Sequence, residues 1–164
     1  MRSPVAVAVV LAAAAMVACS PDASTPVAPV TGSAEAVIPG ADHGGRPLTA
    51  TLTGEAEVPT GDPDGTGSAL ITLNQGQGEV CWEITVADIL LPAVAAHIHV
   101  APVGVPGPIV VPLSPPDADG VAVGCTTGVD RELIRAIRQS PAAYYVNVHT
   151  TDFMPGAVRG QLAN

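Results

Sequence analysis

Lysine is absent from these 164 residues; all six basic side chains are arginine, against 15 acidic ones, for a formal net charge of −9. Nothing clusters positive charge as counterion release from a phosphate backbone requires, so nucleic acid is not expected as a partner. Aromatic residues make up only 2% of the chain, which leaves a core to be built mainly from Val, Ala, Leu and Ile. Long apolar runs are missing too. The longest, Val5 to Ala18, has 14 residues, short of the ~20 that a membrane-spanning helix needs. There is no Gly-x-Ser-x-Gly elbow, and His149 with Thr151 and Asp152 lacks a recognisable nucleophile, so hydrolytic catalysis finds no support. The Ala101–Pro108 stretch, rich in Pro and Gly, carries no phosphate-cradling pattern.

The short apolar run has a different use. Preceded by Arg2 and ending in Met16-Val17-Ala18-Cys19, it reads as an export signal over residues 1–18. A small residue directly before a cysteine resembles the lipobox of bacterial lipoproteins, with Met where that family prefers Leu. The resemblance implies that Cys19 becomes the lipidated first residue of the mature chain; cleavage after Ala13-Ala14-Ala15 is the alternative. Residues 19–46, rich in Ala, Pro, Ser and Thr, show no periodicity and read as a flexible linker spanning about 30 Å. His43 falls in this linker and is set aside. With Cys19 lipidated, Cys81 and Cys125 remain, an even pair most simply read as a disulfide in an exported protein, with two free thiols as the alternative.

From 47 to 164 the pattern is that of β-strands. Leu48, Ala50 and Leu52 alternate with threonines; Ala69, Ile71 and Leu73 alternate with Leu70 and Thr72; Val80, Trp82, Ile84 and Val86 alternate with Cys81, Glu83 and Thr85. Asn74–Gly78 reads as a hairpin connection. Further strands are expected over 95–101, 109–113, 120–124, 143–150 and 157–162. One helix is expected after Asp130, with Leu133, Ile134 and Ile137 on one face, Arg131, Glu132, Arg135 and Arg138 facing water, and Pro141 as its stop. About eight strands and no βαβ alternation point to an all-β, antiparallel Greek-key-like β-sandwich or flattened barrel with one short helix.

Two strands carry the most suggestive chemistry. His97 and His99 point to one side of an extended chain, as do Asn147 and His149. Were the two strands neighbours, three of the four histidines would meet on a common exterior face. Three neutral imidazoles plus water would make an open copper or zinc site. Alternatively His97, His99 and His149 hydrogen-bond to each other, to Asn147 and to backbone, tying a polar face together. Arg159 on a later strand is expected to pair with Glu55 or Glu57. The Asp62-Pro63-Asp64-Gly65 and Asp117-Ala118-Asp119-Gly120 stretches lack a glutamate at the twelfth position of a calcium loop and read as turns.

Leu52-Thr53-Gly54-Glu55-Ala56-Glu57-Val58-Pro59, His97-Ile98-His99 with Gly107-Pro108-Ile109-Val110, Tyr145-Val146-Asn147-Val148-His149-Thr150 and Gly156-Ala157-Val158-Arg159-Gly160-Gln161-Leu162 resemble, in that order, the CHRD domain. It is named for chordin and also occurs alone in secreted bacterial proteins. The resemblance implies a β fold and no established catalytic role. A weaker resemblance, carried by His97-x-His99, His149 and Arg159, is to the copper site of copper-zinc superoxide dismutase; the fourth copper ligand and the zinc set are missing, so dismutase activity is not expected. The expectation is therefore an exported, lipid-anchored, extracytoplasmic domain acting as a non-catalytic binding or structural module at the cell surface. Its partners would be the membrane surface and a protein or small ligand, with copper or zinc binding as the competing function.

Overall fold

The computed structural model describes residues 45–164; the export signal, Cys19, His43 and all but the last two residues of the linker lie outside them. Alternating apolar and polar residues set the strands: β1 (Leu48–Thr53), β2 (Thr66–Asn74) and β3 (Glu79–Ala87) form an antiparallel meander. Each expected inward residue is buried, from Leu48, Ala50 and Leu52 through Ile71 and Leu73 to Val80, Trp82, Ile84 and Val86. The β2–β3 connection turns over Gln75–Gly78, where the Asn74 side chain accepts from the Gln77 amide at 3.2 Å.

The rest of the chain adds β4 (Ala95–Val100), β5 (Ile109–Leu113), β6 (Val121–Thr127), β7 (Tyr144–His149) and β8 (Val158–Gln161). All eight strands belong to one antiparallel sheet in the order β5-β4-β7-β8-β1-β2-β3-β6. Its end strands approach each other, and the Thr126 hydroxyl donates to the Pro112 carbonyl at 2.6 Å across the seam, so the sheet is a nearly closed, flattened barrel. Read around the barrel, β4, β5, β6 and β3 are successive neighbours, which makes the β3–β4 connection a Greek-key crossover. β6 runs to Thr127, three residues past the expected end, because β3 offers it partners from Glu79 to Thr85. Within that pair Gly124 faces Trp82, and a Cβ there would lie 2.8 Å from the indole ring. The missing side chain makes room for the only tryptophan.

Cys81 and Cys125 are directly opposed on β3 and β6, with Cα atoms 4.0 Å apart, and form a disulfide. This explains why Cys81, on the polar side of an alternating strand, is nonetheless buried.

The helix α1 (Arg131–Gln139) starts at Asp130, whose carboxylate accepts from the Glu132 and Leu133 amides at 2.7 and 3.0 Å. Ile134 and Ile137 are fully buried in the core, each contributing about 2–3 kcal/mol by leaving water. Arg138 faces water as expected, and its guanidinium also donates to the Leu73 carbonyl on β2. The chain then makes a short 3-10 turn, Pro141–Ala143, before β7. No helix among the described residues is long and apolar enough to cross a membrane.

Candidate functional site

β4 and β7 are antiparallel neighbours, with His97 opposite Asn147, His99 opposite Tyr145, and Ala95 opposite His149. In both strands the residues between these, Ala96, Ile98, Val146 and Val148, are fully buried in the apolar core. The period of two therefore sends His97, His99, Tyr145, Asn147 and His149 to the other face. There the three imidazoles each offer a nitrogen within 4.8 Å of the others'. The ring centroids of His97 and His149 are 5.1 Å apart, and those of His97 and His99 5.5 Å apart.

The expectation of an exterior face needs correction. His99 is 7% exposed, Asn147 2% and Arg159 2%. The cause is the β4–β5 connection, residues 101–108, which is tied down over the strands. The Arg159 guanidinium donates to the Pro102 and Val105 carbonyls at 2.9 and 3.0 Å, and the Gln161 amide to the Ala101 carbonyl at 2.7 Å. The Gly107 amide donates to the Tyr145 hydroxyl at 3.2 Å, while the Gly107 carbonyl accepts from His99 Nδ1 at 2.8 Å. A half-buried polar layer results, lying between the sheet and a strapped loop.

Arg159 also departs from its expected role. It makes no ion pair with Glu55 or Glu57; the ion pair among the described residues joins Arg135 and Glu132 on α1. Its guanidinium carbon sits 3.4 Å from the centroid of the Tyr145 ring, and Tyr145 stacks on His99 with centroids 4.7 Å apart. Glu57 feels the arginine charge only at longer range.

Backbone carbonyls can only accept, so two tautomers follow from the geometry. His99 carries its proton on Nδ1, bound to Gly107, and His149 carries its proton on Nδ1, donated to the Met154 carbonyl at 2.9 Å. Their Nε2 lone pairs then face the centre. His99 Nε2 is buried with no hydrogen-bond partner. His149 Nε2 lies 3.1 Å from His97 Nδ1 and 3.1 Å from Asn147 Oδ1. Burial holds all three imidazoles below the ordinary histidine value of 6.5, and His97, with the neighbouring His149 and His99 adding to the effect, is pushed down to about 4. At neutral pH the cluster is uncharged and able to act as a ligand.

Glu57 and Tyr145 were not singled out as site residues from the sequence. Tyr145 stands two places before Asn147, and the period of two already put it on this face. Glu57 comes from the irregular β1–β2 connection, held by Gly61 N to Gly54 O at 2.8 Å and Asp62 N to Ala157 O at 2.9 Å. It is 5% exposed, burial raises its pKa with Asn147 acting in the opposite direction, and its Oε1 is buried with no hydrogen-bond partner. Gly156 is what lets it enter: a Cβ there would lie 2.1 Å from Glu57 Oε1. The Asp62 and Asp117 stretches are turns, Asp117 Oδ1 accepting from Asp119 N and Val121 N at 2.9 and 3.2 Å.

No curated protein and no solved structure matches the chain. A family model described as CHRD domain matches residues 48–162, from the first residue of β1 to just past β8, and the chain belongs to the CHRD domain family.

Proposed function

We propose that the chain is an exported, lipid-anchored CHRD domain that serves at the cell surface as a non-catalytic binding module. CHRD membership supports a binding or structural role. The observation that carries export is the pairing of Cys81 with Cys125, a bond that belongs to an oxidising compartment and that leaves Cys19 as the cysteine for lipid. An anchor of more than one acyl chain holds a protein stably to a membrane, at ~0.8 kcal/mol per buried methylene. The linker would let the domain stand off that surface. Fractionation of expressing bacterial cells, with wild type beside Cys19→Ser, tests this reading: wild type is expected with the membranes and labelled by palmitate, the variant unlabelled and soluble. A wild type that is unlabelled and soluble contradicts the anchor.

A second reading is favoured by one specific observation, the convergence of three neutral imidazoles with His99 Nε2 buried and unpartnered. In this reading the module's ligand is copper or zinc, bound by His97, His99 and His149. Metal-ligating histidines characteristically fix their second nitrogen on a carbonyl or carboxylate, as Gly107 and Met154 do here. Metal analysis of the purified protein is expected to give one ion per chain, lost in both His97→Ala and His149→Ala; an empty wild type after copper or zinc loading rejects it.

A further inference from the structure

We propose that Asn147 is the fourth ligand of this metal site, its amide oxygen completing an N3O set for a divalent first-row ion, copper(II) or zinc(II), with Glu57 as the residue that fixes the amide's orientation. The inference rests on the metal-binding reading above and adds to it the residue that the three histidines leave unassigned.

The argument is an inventory of donors and acceptors. With their protons on Nδ1, His99 and His149 each turn an Nε2 lone pair toward the centre. Asn147 Oδ1, at 3.1 Å from His149 Nε2, is a third acceptor, and two acceptors at that distance repel unless a positive centre lies between them. Among the three imidazoles the only ring proton not already committed to a backbone carbonyl is that of His97, whose Nδ1 lies 3.1 Å from His149 Nε2. It can serve one acceptor, and His99 Nε2 is left with none. A buried acceptor without a donor costs about 1–3 kcal/mol.

Rotating the amide would relieve the conflict, but Glu57 prevents it. Asn147 favours the ionised form of Glu57, as an amide N–H turned toward the carboxylate does, and a flipped amide would set oxygen toward oxygen there. Glu57 is in turn pressed against the bare Cα of Gly156 and held by the Val58 amide at 3.3 Å. The acceptor-rich centre is therefore built into the fold.

The geometry suits a small cation. A tetrahedral ion with bonds of about 2.0–2.2 Å places neighbouring ligand atoms about 3.3–3.6 Å apart, a few tenths of an ångström beyond the two separations of 3.1 Å found here. Nitrogen-rich sets with one oxygen suit copper(II) and zinc(II) and not magnesium or calcium.

The experiment compares the purified full-length wild type with Asn147→Ala and Asn147→Asp by competition titration with copper(II) and zinc(II) and by electron paramagnetic resonance of the copper forms. Wild type is expected to bind one equivalent, Asn147→Ala to bind at least about tenfold more weakly with an altered copper spectrum, and Asn147→Asp, which keeps an oxygen in place, to stay within tenfold of wild type. Equal affinity and an identical spectrum in Asn147→Ala, or equal loss in both variants, overturns the inference while leaving the three-histidine site standing. Should Asn147→Ala fail to fold, the wild-type copper spectrum in 17O-water decides: unbroadened lines support Asn147, and broadening by an equatorial water overturns it. A wild type that binds neither ion defeats the metal-binding reading itself.

Discussion

Replacing Arg159 with alanine removes the clamp that closes the β4–β5 loop over the imidazoles. Its guanidinium makes two hydrogen bonds, to Pro102 and Val105 carbonyls, and hydrogen bonds from a charged donor contribute about 1.5–3 kcal/mol each. Both acceptors sit in an exposed loop and regain water once the guanidinium is gone, so the lower end applies, about 3 kcal/mol for the pair. Contact with the Tyr145 ring at 3.4 Å adds about 1 kcal/mol. The sum, about 4 kcal/mol, corresponds to a fall in Tm of roughly 15 °C for a domain of this size. Lysine at the same position keeps a charge near the ring but cannot fork to two carbonyls, so Arg159→Lys is expected to lose about half as much. Urea denaturation of the three proteins measures the differences, and hydrogen exchange at Val105 and Gly107 reports whether the loop opens. An Arg159→Ala protein within about 1 kcal/mol of wild type, with unchanged exchange in the loop, would refute the clamp.

Reduction, or the double replacement of Cys81 and Cys125 by alanine, opens a loop of sequence separation 44 and is expected to cost roughly 4 kcal/mol on the chain-entropy model, read from the shift in urea midpoint. Asp130→Ala uncaps α1 and should lower stability by about 1 kcal/mol, with a matching small drop in Tm. Acid should destabilise the protein between pH 6.5 and about 4. The unfolded chain takes up protons at the ordinary histidine value of 6.5 while folded His97 resists them down to about 4, so stability present above 6.5 is lost as pH falls through that window. His99 and His149 shift in the same direction, and Glu57, raised by burial, works against them alone. Denaturant midpoints measured across that window should therefore fall with pH in wild type and fall less in His97→Ala; a flat wild-type profile contradicts the burial of neutral imidazoles.

The strands were legible because a barrel wall has one apolar face. Val80-Cys81-Trp82-Glu83-Ile84 can sit in only one register without burying Glu83, and that register also places Cys81 against Cys125. The helix was legible from Asp130 and Pro141 for an equally local reason. The convergence of His97, His99 and His149 required knowing that strands some fifty residues apart are neighbours, which periodicity does not encode; it came from the shared polar face and was conditional on pairing. Two features stayed hidden. Burial of the polar layer depends on where the 101–108 loop lies, and a loop's path is set by tertiary contacts such as Arg159 to Val105. Glu57 reads in the sequence like any surface glutamate, and only the empty space at Gly156 brings its carboxylate to Asn147. Arg159 was assigned a carboxylate partner on general preference, whereas backbone carbonyls and the Tyr145 face were closer.

The most direct test of the account is the side-chain 15N spectrum of the histidines at neutral pH, recorded without metal and with one equivalent of zinc(II). The structure predicts that His99 and His149 are neutral with the proton on Nδ1, and that zinc shifts ring nitrogens of His97, His99 and His149 together. Rings that are charged or exchanging freely between tautomers, and that zinc leaves unmoved, would contradict a centre built from converging lone pairs.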